Sequence, residues 1–178
     1  QAFVWIWLPG ETAPVVAGRL SYDHAGNMRF NYGRSYLERV RDLSPAIPIY
    51  LPELPLRSGI LPLSPGLTMP SSIRDSAPDA WGRRVIINRK LGIRGADTDT
   101  ALLDELTYLL ESGSARIAAL DFQRSATEYE PRYAKTVEMA ELLRSADRAE
   151  QGVPLTAELD QALFHGSSSS GARPQALI

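Results

Sequence analysis

Seven prolines fall between residues 45 and 70, at positions 45, 48, 52, 55, 62, 65 and 70. Each lacks a backbone N–H and holds φ fixed, so none suits a helix interior or a central strand. The pieces between them, such as Ile47-Pro48-Ile49-Tyr50, are long enough only for weak strands. The stretch is therefore predicted to wrap the edge of a sheet that residues upstream must supply.

Those upstream residues have the required pattern. Val4-Trp5-Ile6-Trp7-Leu8 is a β-branched and aromatic run that stops at the turn pair Pro9-Gly10. Pro14 to Tyr22 and Met28 to Tyr32 flank Asp23-His24-Ala25-Gly26-Asn27, which reads as a hairpin connection. Met28, Phe30 and Tyr32 alternate with Arg29 and Asn31, the period of a strand with one buried face. Trp5 and Trp7 share a face, where core packing outweighs a base-stacking platform. Residues 1–75 are thus predicted to form a small antiparallel β-barrel-like subdomain or curled sheet.

The pattern changes at Ser76. Ser76-Ala77-Pro78-Asp79 offers a hydroxyl cap, a proline for the first turn and a carboxylate three residues on, which together open a helix. Trp81, Val85 and Ile86 share its buried stripe, and Gly92 stops it. A second helix is predicted from Asp99 to Glu111, with Leu102, Leu106, Leu109 and Leu110 on one stripe and Gly113 at its end. Arg116 to Phe122 alternates weakly as a strand, and Thr136–Arg148 and Thr156–Phe164 are amphipathic. The chain is α+β: a β-rich subdomain over 1–75, a mainly helical one over 76–165, and a glycine/serine-rich tail over 166–178.

Composition narrows the function. Cysteine is absent, which excludes disulfides and thiolate metal sites. His24 and His165 are the only histidines and are expected at the surface, so no metal site is assigned. A net charge of −2 gives no bulk attraction to nucleic acid or anionic lipid. No apolar run approaches the about 20 residues of a membrane span, so a cytoplasmic location is expected. Asp97, Asp99 and Asp104 are spaced as solvated or capping carboxylates. Asp79 and Trp81 suit a capped helix docked on a sheet. Arg83, Arg84, Arg89, Lys90 and Arg94 suit a solvated or salt-bridged face more than a nucleic-acid contact.

The tail admits two readings from its residues alone. Gly166-Ser167-Ser168-Ser169-Ser170-Gly171 is either a solvated linker or a backbone cradle, in which successive N–H groups meet an anion. Ala176-Leu177-Ile178 reads as a strand just beginning, and the first residue is Gln1 rather than Met. A portion of a longer polypeptide is expected.

Three segments carry a resemblance. Pro78-Asp79-Ala80-Trp81-Gly82-Arg83-Arg84 resembles the PD-x-WGR signature of HipA-type serine/threonine kinase toxins. Ser114-Ala115-Arg116-Ile117-Ala118-Ala119-Leu120-Asp121-Phe122 resembles the family's G-A-L-x-F strand. Gly166 through Ala176 resembles its glycine-rich loop, G-S-S-x-G-G-A-R-P-K-A. The three occur in family order. Two positions depart: Gln175 stands where the family has lysine, and Ser170 replaces a loop glycine. Both bear on ATP affinity rather than fold.

The resemblance implies the N-terminal part of a HipA-like kinase fold from a toxin–antitoxin system of the kind linked to persistence. It implies ATP and Mg²⁺ as cofactors of the intact kinase, with neither expected bound to this chain. It assigns ATP contacts to Ser168, Ser169, Ser170, Gly171 and Ala172. Autophosphorylation falls on Ser168, with Ser167 and Ser169 as alternative registers; in the family it expels the loop and silences the enzyme. No catalytic residue is assigned, because the family's catalytic Asp, Mg²⁺ ligands and nucleotide-pairing lysine lie downstream of this loop. The implied partners are a helix-turn-helix antitoxin of HipB type, operator DNA through that antitoxin, and a protein substrate such as an aminoacyl-tRNA synthetase. No membrane is implied. Two functions stay open: an N-terminal kinase region that is inactive by itself, or a non-catalytic stand-alone module that binds a separate kinase or antitoxin.

Overall fold

The computed structural model describes residues 1–40, 42–93, 98–114, 119–132 and 151. The chain divides into two compact units. The first comprises residues 1–76 and 118–130; of the second, residues 77–93, 98–114, 131–132 and 151 are described.

The first unit is built on one antiparallel sheet. Strands β1 (Ala2–Ile6), β2 (Val15–Tyr22), β3 (Met28–Tyr32) and β4 (Leu120–Gln123) lie in the order β3-β2-β1-β4. The sheet is open, which corrects the barrel expected from the sequence. The β1 run begins and ends two residues earlier than Val4–Leu8, so Trp7 and Leu8 follow the strand. One face carries Val4, Leu20, Phe30, Tyr32 and Phe122, all buried. Opposite Val4 and Trp5, strand β2 offers Gly18 and then Val16; the skipped Ala17 is a bulge whose carbonyl instead accepts from Gly33 N at 2.8 Å.

The hairpin between β2 and β3 is held by Asp23. Its carboxylate accepts from the backbone N–H of Ala25 and of Asn27, both at 2.9 Å, and from Arg29 Nε at 2.8 Å. The Arg29 guanidinium, followed by the Asn27 N–H, draws the Asp23 pKa down to about 2.

The proline-rich stretch does run along an edge, that of β3. Met28 N donates to Thr68 O at 2.7 Å, Leu61 N donates to Phe30 O at 2.9 Å, and Asn31 bridges Ile60. The weak strand expected at Ile47–Tyr50 reduces to an isolated bridge between Tyr50 and Leu54. Two tyrosines take the place of a ladder partner there. The Tyr32 hydroxyl donates to Leu54 O at 2.7 Å and accepts from Ile49 N at 2.9 Å. The Tyr36 hydroxyl, from the short helix α1 (Arg34–Leu37), donates to Ile47 O at 2.9 Å and accepts from Ile47 N at 3.2 Å. The two rings stack, with centroids 5.7 Å apart and planes 8° from parallel. Downstream, the Glu53 carboxylate accepts from Ser71 N at 2.7 Å and from its hydroxyl at 2.6 Å, satisfying the start of α2 (Ser71–Arg74), where Pro70 provides no cap.

This arrangement gives Tyr32 a testable role. Burial pushes its phenol up to about 12, from an unfolded value near 10. The folded state thus holds the proton more tightly than the unfolded state. The associated stability is full below pH about 10 and is lost as pH rises toward 12. Urea unfolding repeated from pH 8 to 12 should show that decline, and Tyr32→Phe should make it shallower, the raised phenols of Tyr36 and Tyr108 supplying the rest. At pH 8 the variant should lose about 1–3 kcal/mol, because a buried amide and carbonyl lose their shared partner.

In the second unit, helix α3 (Ala80–Leu91) buries Val85, Ile86 and Ile87. It stops where Gly92 takes φ 70°, and Gly92 N donates to Asn88 O at 2.8 Å. The burial expected for Trp81 concerns a side chain outside the description. The single helix expected over Asp99–Glu111 is two pieces: a 3₁₀ turn over Thr100–Leu102 and helix α4 (Glu105–Glu111). Each piece has its own aspartate cap, Asp99 on Ala101 N and Asp104 on Thr107 N, which is why the helix is not continuous. Leu102 is half exposed as a result, whereas Leu106, Leu109 and Leu110 are buried. α4 ends at Ser112, whose backbone is extended, before Gly113 is reached. The helices expected over 136–148 and 156–164 lie outside the described residues. Among the described residues, no helix is long and apolar enough to cross a membrane.

Candidate functional site

The segment Pro78-Asp79-Ala80-Trp81-Gly82-Arg83 can be followed atom by atom, the Trp81 side chain excepted. Pro78 keeps the preceding residue out of helical conformation, so the helix cannot begin at Ser76. Ser76 instead sends its hydroxyl to Ser72 O at 2.9 Å, and the expected Ser76 cap is corrected to Asp79. Asp79 has extended backbone, and its Oδ1 accepts from Gly82 N at 2.8 Å. A cap of this kind is worth about 1 kcal/mol.

Arg83 closes the motif. Its Nε donates to Pro78 O at 3.0 Å, back across the first turn. Its two terminal nitrogens grip the Glu105 carboxylate at 2.6 and 2.7 Å, a two-pronged pairing that lysine cannot reproduce. The guanidinium also lies 4.6 Å from the centre of the Tyr108 ring. Glu105 is the principal cause of a raised Arg83 pKa, and burial is the principal cause of a raised Tyr108 pKa. Tyr108 in turn donates to Thr100 O at 2.6 Å. The motif is therefore a clamp: one end caps α3 and the other ties it to α4.

Two members of the expected basic face are salt-bridged. Arg83 is held by Glu105, and Lys90 Nζ meets Glu111 at 3.0 Å. Arg94 and Asp97 lie outside the described residues. Asp99 and Asp104 cap, as one of their expected roles had it; two further acids are also structural, Asp23 holding a hairpin and Glu53 opening α2. Among the described residues, no three His, Asp or Glu side chains converge as a metal-binding group. His24 is exposed, as expected; His165 lies outside the description.

The residues assigned to ATP, Ser168, Ser169, Ser170, Gly171 and Ala172, also lie outside the described residues, as do Ser167 and Gln175.

A second cluster escaped the sequence. Asp121 on β4 is fully buried, and its Oδ2 accepts from the Tyr129 hydroxyl at 3.0 Å and from Gln123 Nε2 at 2.9 Å. The Tyr129 ring packs against both Trp5 and Trp7, with centroids 5.4 Å apart in each case. Trp5 Nε1 donates to Ser125 O at 3.0 Å. The two tryptophans are thus structural, as expected. The signal for Asp121 was present but faint, a carboxylate between Leu120 and Phe122. Its partner Tyr129 was invisible until the chain folded back.

A sheet edged by a proline-rich wrap, together with a helix opened by Pro-Asp and clamped through arginine, defines a mixed α and β module. Residues 6–123 match the family model of the HipA N-terminal domain, and the chain belongs to that family. No curated protein was found to match the chain.

Proposed function

We propose that this chain is the N-terminal region of a HipA-like protein serine/threonine kinase of toxin–antitoxin type, and that by itself it transfers no phosphate. The observation that carries this reading is the family match over residues 6–123, followed at 166–176 by a segment resembling the family's glycine-rich loop. In the intact kinase, ATP with Mg²⁺ would supply the phosphoryl group, and backbone N–H groups of Ser168 to Ala172 would meet its phosphates. The small side chains there leave room for that approach. The described residues support a scaffold role: the clamp at Arg83 and the Asp79 cap hold the helical unit. A helix-turn-helix antitoxin, operator DNA reached through it, a protein substrate such as an aminoacyl-tRNA synthetase and a cytoplasmic location belong to the same proposal.

The purified 178-residue chain, given labelled ATP and Mg²⁺, should neither hydrolyse the nucleotide nor incorporate phosphate. Incorporation abolished by EDTA would overturn the claim that it is inactive alone.

A further inference from the structure

Strand β4 has four residues, all buried. Leu120 and Phe122 stand opposite Ile6 and Val4 on one face, and Asp121 and Gln123 stand opposite Trp5 and Phe3 on the other. In so short a strand the apolar alternation chooses the face but not the register. A slide of two residues keeps the alternation and sets Leu120 where Phe122 now sits. Something else must reject the slide.

The outer face supplies it. Asp121 Oδ1 accepts from Phe122 N at 2.8 Å, while Oδ2 takes the Tyr129 hydroxyl and Gln123 Nε2. Gln123 Nε2 also reaches Glu130 O at 3.0 Å, so residues 124–130 fold back over the strand. Tyr129 is seated between two indoles, and Trp5 is itself bonded to Ser125. We infer that the Tyr129–Asp121 hydrogen bond is a latch that fixes the register of β4 on β1. In a slipped strand Phe122 N and Gln123 Nε2 travel with the carboxylate, but the Tyr129 hydroxyl is left behind between the indoles, and a buried acceptor that loses a donor is unfavourable. Asp121 is a positioning residue: it excludes alternatives, whereas Leu120 and Phe122 supply the burial.

Amide exchange and cross-strand NMR contacts on the full 178-residue chain test the latch. Tyr129→Phe keeps the ring between the indoles and removes only the donor. Its β4 ladder amides should exchange about tenfold faster, the worth of one hydrogen bond, while those of β2 and β3 stay within about twofold. Asp121→Leu retains volume and removes the charge; it should show a second set of β1–β4 contacts displaced by two residues. Unchanged β4 exchange in Tyr129→Phe would overturn the latch, as would one native register in a folded Asp121→Leu. If Asp121→Leu does not fold, Tyr129→Phe decides alone.

Discussion

Gly18→Val is expected to abolish folding of the sheet at room temperature, and Gly18→Ala to cost about 3 kcal/mol or more, at the upper end of overpacking penalties. Gly18 lies in β2 between Val4 on β1 and Tyr32 on β3. A Cβ there would stand 2.3 Å from the Asn31 carbonyl oxygen and 2.6 Å from the end of the Phe30 ring. The ring has nowhere to turn, because Phe30 is buried and meets Tyr32 edge-on at 4.8 Å. The carbonyl belongs to a strand paired with β2, so moving it breaks the ladder. A chain of this size has only about 5–15 kcal/mol of stability to lose. Gly33→Ala is the control: its added carbon would meet nothing closer than Ala17 O at 3.7 Å, an ordinary contact. Urea midpoints should fall steeply for position 18 and hardly at all for position 33. Equal midpoints for the two alanine variants would contradict the packing described for Phe30.

The second large effect concerns the loop. In the intact kinase proposed above, Ser168→Asp should weaken ATP binding by about tenfold to a hundredfold, whereas Ser168→Ala should leave it nearly unchanged. Phosphoserine carries roughly −1.5 to −2 charges, and aspartate imitates part of that. Either places negative charge where the nucleotide's phosphates must lie, and two like charges a few ångströms apart near a protein surface repel by about 4 kcal/mol before screening. Alanine removes the hydroxyl but keeps the backbone N–H groups that form the cradle. Titration calorimetry on the two variants separates charge from shape. Equal affinities for Asp and Ala would mean that the loop does not face the phosphates. Gln175, where the family has lysine, leaves one fewer positive charge to offset the repulsion.

Local rules carried much of the fold. The alternation at Met28–Tyr32, the hairpin closed by Asp23 and the proline-rich wrap along an edge all depend on near neighbours in sequence. The readings that changed depended on competition. Ser76 and Asp79 were both able to cap, and Pro78 decided between them. Asp99 and Asp104 were both able to cap as well, and because both do, one helix became two pieces. The barrel failed for a reason no local rule contains. The fourth strand arrives after the whole of α3 and α4 and, among the described residues, pairs with β1 at the end of an open sheet. Arg83 with Glu105 and Asp121 with Tyr129 were illegible because each pair meets only through the tertiary fold. The loop at 166–176 was the reverse case. Its residues alone favour a solvated linker, and the phosphate cradle is implied only by the resemblance.

The most direct measurement is a phosphate map of the intact kinase, purified after expression and read by tryptic mass spectrometry. Phosphate is expected within Ser167 to Ser170, principally on Ser168, where the Gly171-Ala172 pair sets the register. A kinase phosphorylated only on serines outside that run, or an intact protein that never acquires phosphate with ATP and Mg²⁺, would contradict it.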